Sequence, residues 1–165
     1  MSARPQSFVN RIAEAMVRQI TTHAEQFPDL WAKRPALVRR GVRLADESGP
    51  RPAVLVSTDG TSEPKDHGPT SLHRELQPLT ILLLAAEGDD QEAAIHDLVA
   101  DVKRALGWDW RLGCGDAPTI LPVLSTGRLI LQSVETAVGN AESGTPLGSA
   151  VVRLMAEYQW EDDAP

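Results

Sequence analysis

One stretch constrains the fold of this chain more than any other. Leu79-Thr-Ile-Leu-Leu-Leu-Ala-Ala86 is apolar except for Thr80, and residues 91–106 that follow have helical periodicity. An eight-residue apolar run is too short to cross a membrane and suits a strand covered on both faces, or nearly so. Gly88 and Asp89 supply turn chemistry, and Asp89 is placed to cap a helix, with Glu92 reaching back three residues later. Ala94, Ile95, Leu98, Val99, Val102 and Leu106 then fall on one stripe, which leaves Asp97 and Asp101 to face water. Lys103 and Arg104 occupy the last turn, where the helix dipole favours cations, and Gly107 ends the helix.

The remaining segments supply what this strand and helix need in order to be buried. Phe8, Val9, Ile12, Ala13, Met16, Val17 and Ile20 make the apolar stripe of a first helix over residues 5–25, ended by Phe27-Pro28. Trp31 is expected to plug the edge of the core. Leu37 to Leu44 alternates imperfectly and carries Arg39, Arg40 and Arg43, a density that suits an edge strand or an arm and not a buried strand. Asp46 to Pro50 has turn composition, so Leu37–Leu44 and Arg51–Ser57 are expected to form a hairpin projecting from the body. Residues 57–71 contain no apolar side chain and read as a mobile polar loop. Arg128 to Val138 and Ala150 to Trp160 read as an antiparallel pair, with Val152, Leu154, Ala156, Tyr158 and Trp160 alternating onto one face. The acidic end, residues 161–165, is expected to fray. The fold expected is α+β, a single domain over residues 1–165, with two main helices on one face of a mixed or antiparallel sheet.

The charge is divided along the chain. The net charge of −7 resolves into +4 over residues 1–51 and −11 over the remainder. An acidic body argues against broad binding to a phosphate backbone. A basic arm on such a body suits copies of one chain docking basic end onto acidic face, although an unevenly charged solvated surface gives the same sums. No apolar run reaches the length of a transmembrane helix, and the N-terminus lacks the apolar core of a secretory signal. Cys114 is the single cysteine, so neither an intrachain disulfide nor a zinc knuckle is expected.

The sequence holds no Gly-x-Ser-x-Gly elbow, no His-Glu-x-x-His, and no dinucleotide or phosphate loop. His67 and His73, with Asp66, lack the fixed spacing of metal ligands. Glu87, Asp89 and Asp90 read as turn and cap before they read as a ligand site. No catalytic residue, metal or cofactor is expected, and the weight moves to binding or structure. The residues most suited to a subunit or partner interface are Arg34, Arg39, Arg40, Arg43, His67, Trp108 and Trp110. One of the two tryptophans is expected to plug the core and the other to anchor an interface.

Taken in order, the pieces resemble the tail-terminator (tail-completion) proteins of long-tailed bacteriophages. The resemblance rests on Arg11-Ile-Ala-Glu-Ala-Met-Val17, on Pro52-Ala-Val-Leu-Val56, on the strand, acidic turn and helix from Leu79 to Leu106, and on the closing stretch Ser149 to Trp160. The segment Trp108-Asp-Trp110 and the arginines at 39–43 depart from the family's usual pattern. The resemblance implies a structural virion protein at the neck end of the tail, assembled in the host cytoplasm, and not an enzyme. It implies six copies in a ring that caps the tail tube and ends its polymerisation. The implied partners are the tail-tube protein and the head-to-tail connector or stopper protein, with DNA passing through the lumen unread. Arg39, Arg40 and Arg43 of one subunit would then face acids of the next. Another neck, head-completion or minor tail protein is an alternative. So is a small bacterial ligand-binding domain that uses the strand end at Glu87–Asp90.

Overall fold

A computed structural model describes residues 8–41, 49–59, 63–66, 72–107, 116–117, 128–140 and 144–161. Its centre is the long strand β4, Leu72–Leu84, which contains most of the apolar run. β4 pairs antiparallel with β2, Ala53–Thr58, on one side and with β7, Pro146–Glu161, on the other. Beyond β2 lies β1, Leu37–Arg40, and beyond β7 lie β6, Arg128–Asn140, and the two-residue β5, Asp116–Ala117. A short strand β3, Glu63–Asp66, also pairs with β4, which makes a sheet of seven strands.

Two helices, α1 (Phe8–Gln26) and α2 (Gln91–Ala105), lie on one face of this sheet. α1 packs on β1 and β2, and α2 on β7, β6 and β4, with the two helices touching each other. The strands send alternate residues to that face, as the period of two requires. Val54 and Val56 of β2, Leu79, Ile81 and Leu83 of β4, and Val152 and Leu154 of β7 meet Ile12, Met16 and Ile20 of α1 and Ile95, Leu98 and Val102 of α2 in one core. Each fully buried aliphatic side chain contributes about 1.5–3 kcal/mol through removal from water. Trp31, in the connector after α1, joins this core as expected. On the opposite face Ala53, Leu84 and Leu147 form a small second cluster with Leu37.

The α+β architecture with both helices on one sheet face is therefore as the residue pattern indicated, and so is the antiparallel β6–β7 pair. Several local expectations are corrected. β1 and β2 are not a hairpin: they run parallel, Leu37 opposite Ala53 and Arg40 opposite Val56. β2 takes β4 as its antiparallel partner on its other edge. Within the polar stretch 57–71, Ser57 and Thr58 complete β2 and Glu63–Asp66 form β3. That strand needs no apolar side chains because backbone hydrogen bonds to Leu76, Glu75 and Arg74 hold it. The cap of α2 is Asp90, not Asp89: its side chain accepts from the Ala93 backbone N–H at 3.0 Å. Gly107 ends the helix at φ 85°, a left-handed conformation that favours glycine.

Asp101 is corrected as well, since it is buried and does not face water. Its Oδ2 accepts from the Ala32 backbone N–H at 3.0 Å and its Oδ1 from Arg104 Nη1 at 3.0 Å. Arg104 also donates to the Leu30 carbonyl at 2.7 Å. This carboxylate thus fastens the end of α2 to the connector that carries Trp31, a role that helical periodicity alone cannot reveal.

Candidate functional site

The basic surface is built on β1. Its alternation sends Leu37 and Arg39 to the face away from the helices and Val38 and Arg40 toward α1. Val38 packs on the main core. Arg40 Nη2 donates to Asn10 Oδ1 at 2.8 Å, and its Nη1 lies 3.6 Å from Glu14 Oε1. Arg40 is therefore half-buried and tied to α1 within its own chain. Arg39 is exposed, as are Lys33 and Arg34 in the segment leading into the strand. Of the residues singled out from the sequence, Arg34 and Arg39 are exposed, and Arg40 is half-buried against α1. Arg43, His67, Trp108 and Trp110 lie outside the described residues, as does Cys114.

An acidic surface lies at the end of the central strand β4. Glu87, Asp89 and Asp90 are exposed in the turn between β4 and α2, and Glu92 is exposed in the first turn of the helix. The turn is held by a side chain that the sequence reading passed over. Gln91 is buried; its Nε2 donates to the Ala86 carbonyl at 2.8 Å and to the Gly88 carbonyl at 3.0 Å, while its Oε1 accepts from the Gly148 N–H at 2.8 Å. The start of α2 is thereby fixed against β7. Next to it Glu92, Ile95 and His96 of α2 and Thr136, Ala137 and Val138 of β6 line an open groove of about 240 Å³. Val138 is 53% exposed.

β6 carries one acid, Glu135, which is exposed and reaches Arg153 only at 3.9 Å. At that distance and exposure the pair contributes little. Its position is the informative part. Arg39 lies opposite Leu55, Leu55 opposite Leu82, Leu82 opposite Val151, and Val151 opposite Glu135. Residues opposite one another in a ladder project to the same face, so Arg39 and Glu135 are the two ends of one row across the sheet. Four ladder steps of about 4.8 Å place them about 19 Å apart. The row begins and ends in opposite charges. Glu135 was missed because a single acid in a strand reads as an ordinary solvated position.

A second concavity, of about 160 Å³, lies beside the end of β4 and is lined by Ala32, Lys33, Pro52, Ala86, Ala94, Asp97, Leu98 and Asp101. It is smaller than the roughly 300–1,000 Å³ of small-molecule sites. Both oxygens of its buried carboxylate, Asp101, are already engaged. Among the described residues no group of three or more His, Cys, Asp or Glu has the geometry to hold a metal ion, and no helix is long and apolar enough to cross a membrane.

His23, near the end of α1, is a structural partner. Trp31 Nε1 donates to its Nδ1 at 3.0 Å, and the two rings meet edge-on with centroids 5.8 Å apart. Burial lowers its pKa below the ordinary histidine value and the Arg104 cation lowers it further, against a smaller opposite effect of Asp101. The neutral ring, with a free lone pair on Nδ1, is the form the indole N–H requires.

Compared with protein-family models and with curated protein sequences, the chain matches none.

Proposed function

We propose that this protein is a structural subunit whose copies join into a closed ring of six, and that the ring caps a bacteriophage tail tube, ends its growth and offers a joining surface to the head-side connector. The family reading comes from the order and character of the segments: an amphipathic helix, the short stretch Pro52-Ala-Val-Leu-Val56, the long apolar strand with its acidic turn and helix, and the closing stretch from Ser149 to Trp160. The observation that carries the assembly reading is the opposition of charge across one sheet. Exposed Arg34 and Arg39 lie at the β1 edge, and exposed Glu135 lies at the β6 edge, where Glu92 of α2 adjoins it. A surface divided in this way complements itself head to tail, a contact that closes into a ring when each step adds a rotation. DNA would pass through the lumen without base contacts, and an acidic chain disfavours adhesion of phosphates.

Negative-stain images of the purified protein test this reading. Annular particles with sixfold symmetry are expected. Particles of single-subunit size at every concentration would overturn it.

A further inference from the structure

We propose that successive copies join by strand addition: the free edge of β1 in one copy pairs antiparallel with the free edge of β6 in the next, and Arg39 meets Glu135 across the joint. The proposal rests on the ring reading above and specifies the surface that makes the ring.

The argument begins with edges. Among the described residues β1 pairs only with β2, and β6 beyond Ile130 pairs only with β7, because β5 covers just Leu129 and Ile130. An open strand edge presents unpaired N–H and C=O groups, and proteins blunt such edges with lysine, proline, a β-bulge or a covering segment. The one register shift in β6 falls at its start, between Leu131 and Ser133, and the ladder is regular from Ser133 to Asn140. From Gln132 to Asn140 the sequence Gln-Ser-Val-Glu-Thr-Ala-Val-Gly-Asn contains no lysine and no proline, and Glu135 is its one charge. Residues Glu135 to Asn140 are all exposed. β-branched Val134, Thr136 and Val138 favour extended pairing. This is the composition of a strand that accepts a partner.

Direction and level agree with that. β1 is parallel to β2, and β2 to β4, β4 to β7 and β7 to β6 are each antiparallel. Three reversals leave β6 antiparallel to β1. Continuing the sheet from one copy to the next therefore joins the two edges in the antiparallel sense, which needs no crossover and gives perpendicular hydrogen bonds. Following the ladder rows, Leu37 comes level with Ala137, Val38 with Thr136, Arg39 with Glu135 and Arg40 with Val134. The Arg39–Glu135 pair is then a cross-strand pair of opposite charge on one face, while Arg40 stays on its own α1. Arg34 precedes Leu37 and so comes to the end of the joint where Glu92 flanks Thr136 and Val138. A second copy is the occupant because it brings a short cationic strand, β1, to an exposed stretch of β6 whose one charge is Glu135.

The test is a charge swap with a mixing arm. Arg39→Glu and Glu135→Arg are made singly, and each is followed by native mass spectrometry with circular dichroism as the control for folding. Each variant should need a roughly tenfold or higher protein concentration to assemble, since like charges in contact cost several kcal/mol and each 1.4 kcal/mol is tenfold. An equimolar mixture should recover assembly, because the reversed β1 of one variant fits the reversed β6 of the other in an alternating ring. Mixing cannot restore a misfolded chain, so recovery reports the contact itself. Variants that assemble like the wild type, or a mixture that fails to recover, would overturn this contact and leave the ring reading standing. A wild-type protein that stays single at all concentrations would overturn both.

Discussion

The backbone N–H of Gly148 donates to the side-chain oxygen of Gln91 at 2.8 Å, and no larger residue fits at position 148. A Cβ built there would lie 2.6 Å from the Gln91 carbonyl oxygen and 3.3 Å from Ala85 Cβ. The approach of α2 to β7 is that close because the amide of Gln91 bridges Gly148 to Ala86 and Gly88. Backbone and not a flexible side chain opposes the new methyl, so Gly148→Ala should destabilise by about 1–3 kcal/mol through overpacking. Gln91→Ala should cost about as much, since it leaves buried polar groups unsatisfied. Urea titration checks both. A Gly148→Ala protein as stable as the wild type would mean that the helix is not held this close.

Asp101 should prove to be a fastening point for the Trp31 connector. Asp101→Ala leaves the Ala32 N–H without its acceptor and Arg104 with the Leu30 carbonyl alone, at a cost of about 1–3 kcal/mol. Asp101→Asn retains one acceptor oxygen and should cost less. Equilibrium unfolding followed by tryptophan fluorescence distinguishes the two. Equal, negligible effects would indicate that the carboxylate is only a surface group.

His23 makes stability dependent on pH. Its folded pKa lies below the unfolded value of about 6.5, so near and just below that pH the unfolded chain binds more protons than the folded one. The contribution of the neutral ring is fully present above the unfolded pKa and diminishes as pH falls through it toward the folded pKa. The stability difference between the wild type and His23→Gln should therefore shift against the wild type from pH 7.5 to about pH 5.5. A difference that does not change with pH would show that burial and Arg104 do not hold the ring neutral in the folded state.

These three sites also show where the sequence was informative and where it was not. β4 was legible from its unbroken apolar run, and α2 and β7 because each buries a face set by its own periodicity; local residues suffice to reveal both. The charge density of Arg39 and Arg40 identified an edge strand for the same reason. The parallel sense of β1 and β2 was not legible, since turn composition at Asp46–Pro50 does not fix the direction in which the next strand runs. The burial of Asp101 depends on Ala32, the tethering of Arg40 on Asn10 and Glu14, and the role of Gln91 on Gly148. Each partner is distant in the chain, so no local pattern discloses it. Glu135 gains meaning only through the row that links it to Arg39.

The central claim is that copies of this chain complement one another through exposed opposite charge. Sedimentation velocity of the wild-type protein over a salt series tests it most directly. Exposed ion pairs weaken as the screening length falls from about 10 Å at 0.1 M salt to about 3 Å at 1 M. The account predicts a six-subunit species at low salt that shifts toward single subunits as salt rises. A folded protein that sediments as a single subunit across the whole series would contradict it.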